Sequence, residues 1–437
     1  MRWAVLGGGL AGVTLARLLH ERGHEVRVFE KEEETGGLCR SRTGDGFTFD
    51  TGGSHVIFSR DEEVLGFMHR VLGENREVRE RQTKIFYKGR YVKYPFENGL
   101  SDLPKEDLFF CISEFVKALI AVEKGEVPPP RNFREWMVQT FGKGIAESYL
   151  IPYNEKIWKI PPERMSAHWV EGRIPRPPVE DVIRSAIGIE TEGYTHQAVF
   201  SYPRTGGIEA LVKAIEEPVR DHIVTGAPVT SVERRGDGFL VRAGGEEIRA
   251  DRVVSTIPLP ALLPCLDGVP AGVQEACRGL RSTALLSVCI GIRGEVPPYS
   301  WVYVPSPEIG LFNRVSFPSN YSPAVAPAGH SSVLAEITCL RGDPIFSAPE
   351  SEIVSHVIGG LGKMGILNDP GKIVYTAVER SPYAYVVYDL GYLQRIGVVR
   401  EFCESRGIDL VGRFSRFEYL NMDGVIRSAM DFVGAAG

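Results

Sequence analysis

The chain has 437 residues, of which 43% are hydrophobic and 24% charged, and its formal net charge is −6. This length predicts two domains around a large shared core, and the acidic balance argues against nucleic acid as the main partner. No apolar run reaches the roughly 20 residues of a membrane span, and the scattered cysteines lack metal-ligand spacing, so reduced thiols in a cytoplasm are expected.

The first segment of the chain carries a pattern typical of dinucleotide-binding βαβ units. The apolar run 3–6 leads into Gly7, Gly9 and Gly12, and an amphipathic stretch follows at 13–21. In such a unit the first glycine forms the tight turn and the second lets the backbone approach a pyrophosphate. The third lets helix and strand pack closely. The N-terminus of the predicted helix offers free N–H groups to the phosphates.

The residues that follow indicate which nucleotide is bound. Glu30 ends the second predicted strand, 25–29, where a carboxylate reaches ribose hydroxyls and repels a 2′-phosphate. This favours FAD or NAD over NADP. Gly36, Gly37 and Leu38 then resemble the second flavin motif of two-dinucleotide-binding flavoproteins, which favours FAD.

Further along the chain, three kinds of segment are predicted. Residues 100–146 have helical periodicity, with helix caps expected at Ser101 and Asp102. Residues 223–256 predict a strand meander that contains Val229, and residues 280–395 alternate apolar and polar residues as antiparallel strands do. Near the end, Gly412 and a short loop precede a new helix, an arrangement that suits an anion site.

Together these elements predict an α/β protein with a discontinuous, Rossmann-type FAD domain of the two-dinucleotide-binding kind. We expect this domain to comprise residues 1–60, 205–275 and 396–437. A mainly helical domain for substrate binding or oligomerisation is expected at 61–204, and an antiparallel sheet domain for substrate binding at 276–395. The pattern leaves a homo-oligomer open.

Three clusters could carry the chemistry. His55 ends a glycine-rich loop that begins at Asp50, and such a loop is expected beside the flavin ring. A second cluster contains Tyr153, Asn154, Trp158, Trp169 and Arg173, and a third contains Trp301, Tyr303, Phe312, Arg314 and Tyr321. An arginine in an apolar sheet needs a carboxylate, a phosphate or a structural Glu as partner. No nucleophile elbow, metal motif or acid–base dyad is present, so the chemistry is expected from a cofactor.

These motifs, taken in order, resemble the flavin-dependent UDP-galactopyranose mutase family over nearly the whole chain. The segments that carry the resemblance are His55-Val56-Ile57-Phe58-Ser59, Tyr94-Pro95-Phe96 with Leu103-Pro104, Tyr153-Asn154 with Trp158 and Arg173, Tyr202-Pro203 before Gly206-Gly207, Arg314 before Asn320-Tyr321-Ser322-Pro323, and Gly412-Arg413 before Tyr419 and Met422.

The resemblance implies an isomerase that interconverts the pyranose and furanose forms of a nucleotide sugar. In that family, N5 of reduced FAD attacks the anomeric carbon as UDP leaves, without net redox change; NAD(P)H could serve as external reductant. By resemblance, Arg173 and Arg314 clamp the diphosphate and His55 tunes the flavin. The implied substrate contacts are Phe58, Tyr94, Asn154, Trp158, Gln197, Tyr303, Tyr321, Tyr385 and Tyr419. The implied flavin contacts are Gly7, Gly9, Gly12, Glu30, Gly36, Gly37, Leu38, Val229, Gly412 and Met422.

Three positions depart from the family's pattern. Glu97 stands where fungal relatives carry an amide that contacts the nucleotide, and Gln197 stands where they carry asparagine. Asn421 stands where bacterial members have aspartate. A carboxylate in place of an amide removes a donor near the pyrimidine, so another base or sugar stays open.

Two other classes share the nucleotide motifs. The first is a true oxidoreductase of the amine oxidase or protoporphyrinogen oxidase class, although those enzymes usually continue the glycine pair with Arg where this chain has Leu38. The second is a non-enzymatic FAD-binding module. The placement of Arg173 and Arg314 discriminates among the three. Both arginines in one cavity beside flavin N5 would favour the mutase, whereas arginines paired with structural carboxylates elsewhere would rule it out.

Overall fold

The structure is a computed structural model that describes residues 1–170, 174–191 and 198–436. The first part of the chain contains β1 (Arg2–Leu6), α1 (Leu10–Glu21), β2 (Glu25–Phe29), β3 (Ser41–Gly44), β4 (Phe47–Asp50), α2 (Glu62–Leu72), β5 (Glu77–Glu80), β6 (Thr83–Tyr87) and β7 (Arg90–Lys93). The next part contains α3 (Lys105–Glu123), α4 (Phe133–Ile145), α5 (Ile151–Trp158), α6 (Val179–Ala186) and β8 (Val199–Tyr202).

The second half of the chain is richer in strands. It continues with α7 (Glu209–Glu216), β9 (Ile223–Val224), β10 (Val229–Arg235), β11 (Gly238–Ala243), β12 (Glu246–Ala250), β13 (Arg252–Ser255), α8 (Leu259–Leu262) and α9 (Ala271–Gly279). It ends with β14 (Arg281–Arg293), β15 (Trp301–Tyr303), β16 (Arg314–Ser316), β17 (His330–Cys339), α10 (Pro344–Ser347), α11 (Glu350–Lys363), β18 (Ile373–Val387), α12 (Tyr392–Ser405), β19 (Ile408–Leu410) and α13 (Met422–Ala435).

A five-stranded parallel sheet in the order β19-β13-β1-β2-β9 forms the nucleotide-binding part. Its central strand β1 is buried at four of its five positions, and Val5 lies between Val28 and Val254. Apolar residues in continuous runs are expected where helices cover both faces of a parallel sheet. Because the sheet takes strands from the start, middle and end of the chain, the predicted α/β fold class is confirmed.

A seven-stranded mixed sheet, β18-β14-β17-β16-β15-β6-β7, forms the other large layer. Its strands β14, β17 and β18 are antiparallel, as the alternation over 280–395 predicts. The sheet also includes β6 and β7, and β6 pairs with β15 in parallel. The sheet therefore extends beyond the expected 276–395 segment, because long-range strand pairing joins residues 83–93 to it.

The helical layer corrects one detail of the sequence prediction. Helix α3 begins at Lys105 after Pro104, whereas Ser101 and Asp102 lie in a separate short 3-10 turn. The Asp102 carboxylate accepts the Lys93 N–H at 2.9 Å, so it holds the end of β7 rather than capping a helix. No helix in the described ranges is both long and apolar enough to cross a membrane.

Candidate functional site

The glycine motif forms a tight cradle at the end of β1. A Cβ atom on Gly12 would lie 1.8 Å from the Gly7 carbonyl oxygen, so only glycine allows α1 to pack this closely on the turn. A Cβ on Gly9 would meet only the Gly37 Cα, at 4.0 Å, which leaves open space beside that backbone. Helix α1 has no side-chain cap and no acidic residue in its first turn, so its N–H groups are available to an anion.

Glu30 and the second glycine motif complete this cradle. The Glu30 carboxylate accepts the Gly8 N–H at 2.7 Å and the Glu32 N–H at 3.0 Å. The Gly36 N–H donates to the Gly8 carbonyl at 2.9 Å, which fixes the second motif against the first. Leu38 follows in a short 3-10 turn, and a Cβ on Gly52 would lie 2.2 Å from its carbonyl oxygen. The loop that leads to His55 is therefore packed against the second flavin motif.

Two distant segments also reach the cradle. A Cβ on Gly412 would lie 2.7 Å from the Ala11 side chain, which places this glycine at the first turn of α1. Met422 is the first residue of α13 and is buried in the same apolar cluster as Ala11. Val229 begins β10 just after Ala227, whose N–H donates to the Glu30 carbonyl at 2.8 Å. The structure thus brings the predicted flavin contacts of all three segments together.

The residues of this region fit FAD. The glycine cradle provides room for a pyrophosphate, and Glu30 lies where a ribose is expected. Next to it, His55 Nδ1 and Arg413 Nε are both buried without a hydrogen-bond partner among the described residues. Buried polar atoms normally have partners, so these two groups suit a bound molecule with polar ring atoms.

Arg314 is held in a bidentate ion pair at the centre of the mixed sheet. Its Nε donates to Glu336 Oε1 at 2.7 Å and its Nη2 donates to Glu336 Oε2 at 2.8 Å and to the Ser54 carbonyl at 3.1 Å. The pair follows from the register, which sets Arg314 directly opposite Glu336 on β17. Glu336 is completely buried, and its charge raises the pKa of Arg314 against the opposing effect of burial. Of the partners expected for Arg314, the structure therefore shows a structural Glu, and the pair lies beside the loop that carries His55.

Arg314 keeps donor capacity despite this pair. Its Nη1 makes no hydrogen bond within the described ranges, and the side chain is 19% exposed. The register also places Tyr303 of β15 opposite Arg314. A bidentate pair of this kind fixes the plane of a guanidinium, so the free nitrogen has a defined direction.

Tyrosines cluster around Tyr303. Its ring lies 5.1 Å from that of Tyr94 and 5.2 Å from that of Tyr153, measured between ring centroids. The hydroxyls of Tyr153 and Tyr303 make no hydrogen bond to any described residue. Burial is the main cause that raises the pKa of Tyr94 and Tyr153, so both are neutral donors near pH 7. Phe58 is half-buried on the loop after His55.

A second aromatic wall surrounds Trp158. Its ring packs edge-on against Tyr385 at 5.9 Å and Tyr419 at 5.7 Å. The guanidinium of Arg413 lies over both tyrosines, at 5.1 and 4.9 Å from their ring centroids. Burial raises the pKa of Tyr385, whose hydroxyl makes no hydrogen bond within the described part of the chain. The charges of Glu336 and Arg314 also act on this pKa.

Two predicted substrate contacts, Asn154 and Tyr321, make hydrogen bonds inside the protein. Both ends of the Asn154 amide are used inside the protein, because Oδ1 accepts from Trp158 Nε1 and Nδ2 donates to the Leu150 carbonyl, each at 2.8 Å. Tyr321 is fully buried, and its hydroxyl lies 2.9 Å from Ser54 Oγ and donates to the Ser300 carbonyl at 3.0 Å. Asn154 therefore orients Trp158, and Tyr321 supports Ser54, whose carbonyl holds Arg314.

His55 is held as a neutral imidazole. Burial, together with the positive charges of Arg314 and Arg413, lowers its pKa to about 4. The loop that carries it is anchored by Asp50, whose carboxylate accepts the His55 N–H at 3.3 Å and the Ile208 N–H at 2.9 Å. A neutral ring can accept or donate a hydrogen bond to a flavin without adding charge.

Two predicted residues, Arg173 and Gln197, lie outside the described residues. The joint placement of Arg173 and Arg314 in one cavity therefore stays a prediction. Glu97, the position that departs from fungal relatives, is only 3% exposed.

Three residues of the candidate site were given no role from the sequence: Glu336, Arg413 and Arg81. Glu336 was detectable as the single carboxylate in the apolar run Val333–Cys339, which has to be paired if buried. Arg413 follows Gly412 directly, at the expected anion site. Arg81 lies between the rings of Tyr94 and Trp301, at 4.7 and 4.9 Å, and no local pattern marks it because the contact depends on the pairing of β6 with β15.

The model of one protein family, flavin containing amine oxidoreductase, matches residues 10–431. The chain therefore belongs to this family of flavoproteins. Among curated relatives, a 4,4′-diapophytoene desaturase of Staphylococcus aureus (strain COL) is 35% identical over 89 residues. This match covers 20% of the chain and 17% of the desaturase, so it concerns a small part of either protein.

The structure is also similar to that of a UDP-galactopyranose mutase. The crystal structure of the reduced mutase superposes with a TM-score of 0.90 at 27% identity, over 100% of this chain and 95% of that one. A candidate protoporphyrinogen oxidase from Exiguobacterium sp. 255-15 gives a TM-score of 0.77 at 18% identity, over 100% and 98% of the two chains. The second match shows a shared fold alone, whereas the first confirms the resemblance found in the sequence.

Proposed function

We propose that the protein is a FAD-dependent sugar-nucleotide mutase that interconverts the pyranose and furanose forms of a substrate of the UDP-galactose type. The observation that carries the proposal is Arg314, fixed by Glu336 with one nitrogen free. Near it are Tyr153, Tyr303 and Tyr385, whose hydroxyls make no hydrogen bond within the described ranges. The full-length similarity to a UDP-galactopyranose mutase supports the same conclusion.

The charged and polar groups suit recognition of a diphosphate. The free nitrogen of Arg314 can donate to a phosphate oxygen, and the hydroxyls of Tyr303 and Tyr385 can donate beside it. Because Glu336 already neutralises most of the guanidinium charge, the tyrosines are needed as additional donors. Arg173 is proposed as the second cation of this clamp.

The same groups are poorly suited to acid–base catalysis. His55 is neutral with a pKa of about 4, and burial raises the pKa of Tyr385 further above neutrality. Neither group is poised to exchange a proton near pH 7. When bound, reduced FAD would supply a nucleophilic nitrogen for the anomeric carbon, so the protein's part is to orient the sugar and hold the departing diphosphate.

A second candidate function is an oxidoreductase of the amine oxidase or protoporphyrinogen oxidase class. The family match favours it, since the family is described as flavin containing amine oxidoreductase. An amine carries no anionic group, however, and would leave the Arg314 nitrogen and its neighbouring hydroxyls without an acceptor, whereas the carboxylates of a porphyrinogen could accept from them. NAD(P)H as reductant, the base and the cytoplasmic location stay predictions.

The binding site is tested by titrating UDP into the dithionite-reduced protein in a calorimeter. We expect Tyr385→Phe to weaken UDP binding about fivefold, because one neutral hydrogen bond contributes about 1 kcal/mol. Tyr383→Phe is the matched control, since the Tyr383 hydroxyl accepts a hydrogen bond from the exposed Arg341. Equal affinities of both variants and the wild type would remove Tyr385 from the proposed site.

A further inference from the structure

Lys156 is a buried lysine that the candidate site does not include. It lies on α5, three residues after Tyr153, and is only 9% exposed. Its Nζ donates to the carbonyls of Val304 and Ser306, each at 2.9 Å, and lies 5.8 Å from the centre of the Phe312 ring. It makes no ion pair within the described ranges. The lysine therefore joins α5 to the backbone just after the end of β15.

Further hydrogen bonds lead from this point back to Lys156. The Val304 N–H donates to the Asn313 carbonyl at 2.9 Å, and the Thr338 N–H donates to Asn313 Oδ1 at 3.3 Å. The Thr338 hydroxyl then donates to the Lys156 carbonyl at 2.8 Å. Asn313 is 2% exposed and Thr338 is completely buried. Because water cannot replace bonds in such a place, we expect this closed network, called the Lys156 network below, to be rigid.

The Lys156 network lies next to the candidate site along the chain. Its neighbours in the sequence are Tyr303 beside Val304, Arg314 beside Asn313, and Glu336 two residues before Thr338. On the helix, Lys156 lies about one turn after Tyr153, whose ring centroid is 5.2 Å from that of Tyr303. The network therefore joins the two elements whose tyrosines meet in the site.

The burial of Lys156 has a cost in stability. Burial is the main cause that lowers its pKa, to about 7, so between this pH and the ordinary value of about 10.4 the unfolded chain binds more protons. The free energy of unfolding is therefore reduced below about pH 10.4, and most strongly below about pH 7. A side chain that costs stability in this way suits a role in a functional site.

We propose that Lys156 is a positioning residue, which holds α5 and β15 together so that Tyr153 and Tyr303 face the substrate side by side. The proposal rests on the proposed function, because the role it assigns is in binding the diphosphate. Without the Lys156 Nζ, the carbonyls after β15 lose this donor and the strand end can move away from α5. The Tyr303 hydroxyl then leaves its place beside Arg314.

A double-mutant cycle tests this role in the FAD-loaded, dithionite-reduced protein, with UDP titrated in a calorimeter. We expect Lys156→Met to weaken UDP binding about fivefold. In the Tyr303→Phe background the same change should weaken binding less than about twofold, because residues that act through one another are not additive. Equal losses in both backgrounds would show a general structural effect and overturn the proposal. An unchanged affinity of Lys156→Met would overturn it as well.

Lys363→Met is the matched control. The Lys363 Nζ donates to the Glu308 carbonyl at 2.6 Å, in the same connection between β15 and β16, but it comes from α11 and does not contact α5 through the network. This variant should change UDP affinity less than about twofold. A loss equal to that of Lys156→Met would overturn a specific role. If Lys156→Met is purified without FAD, Thr338→Val takes its place in the cycle, because it removes the bond to the Lys156 carbonyl.

Hydrogen exchange separates this proposal from the proposed function. Lys156→Met should speed the exchange of the Val304 and Asn313 amides, which donate to Asn313 and Glu336, and leave the amides of β1 unchanged. Faster exchange, with a wild type that does not bind UDP, would reject the proposed function and still support the positioning of Tyr303 by Lys156. Unchanged exchange at both amides would overturn the proposal.

Discussion

The buried pair of Arg314 and Glu336 decides whether the site can hold an anion. We predict that Glu336→Gln lowers the free energy of unfolding by about 3 kcal/mol, because the arginine stays buried without its counter-charge. Urea unfolding followed by circular dichroism measures this. The control is Glu379→Gln, which breaks the partly exposed pair with Arg42 and should change the stability by less than about 1 kcal/mol. Similar losses in both variants would show that Glu336 has no special role.

The neutral state of His55 predicts a pH dependence. Its pKa of about 4 in the folded protein lies below the ordinary value of about 6.5, so the unfolded chain binds one more proton between these values. The free energy of unfolding is therefore highest, as far as His55 determines it, above about pH 6.5. It decreases as the pH falls toward 4, by up to about 1.4 kcal/mol per pH unit.

The measurement compares urea unfolding of the wild type and His55→Asn from about pH 4 to about pH 6.5. The variant should lack this part of the pH dependence. His20→Asn, an exposed histidine at the end of α1, should keep it. A difference between wild type and His55→Asn that is constant over the range would contradict a neutral, buried imidazole.

At the scale of elements, the turn from β1 to α1 allows a direct test of the cradle. A Cβ on Gly12 would lie 1.8 Å from the Gly7 carbonyl oxygen, so Gly12→Ala has to move α1 away from the turn. We predict that this variant is purified without the flavin absorbance of the wild type. Gly272→Ala in α9, where a Cβ meets nothing within 4 Å, should retain its flavin. A Gly12→Ala protein with full flavin content would contradict the packing described for the cradle.

The helices and strands also differ in how far they could be predicted from the sequence. The βαβ unit was predictable because Gly7, Gly9, Gly12 and Glu30 act locally, within thirty residues. The start of α3 was predicted wrongly because Asp102 bonds to the Lys93 N–H, a contact that no helix-capping rule contains. The extension of the mixed sheet by β6 and β7, and the contact of Arg81 with Trp301, depend on pairing between residues more than 200 positions apart.

For the whole molecule, the site exists only because distant segments converge. Ser54 from the first flavin unit holds Arg314 from the mixed sheet, and Trp158 from the helical layer packs against Tyr385 and Tyr419. Motif order in the sequence indicated this convergence by resemblance. The structural roles of Asn154 and Tyr321 were not predictable, since they depend on which hydrogen bonds are completed inside the protein.

The most direct test of the mutase function is chromatography of UDP-galactopyranose, and of a panel of other nucleotide sugars, after incubation with the dithionite-reduced and with the oxidised protein. We predict conversion of one nucleotide sugar to its furanose isomer by the reduced protein alone. No conversion of any nucleotide sugar, together with oxygen consumption on an amine or a porphyrinogen, would contradict the mutase function and assign the protein to the oxidases.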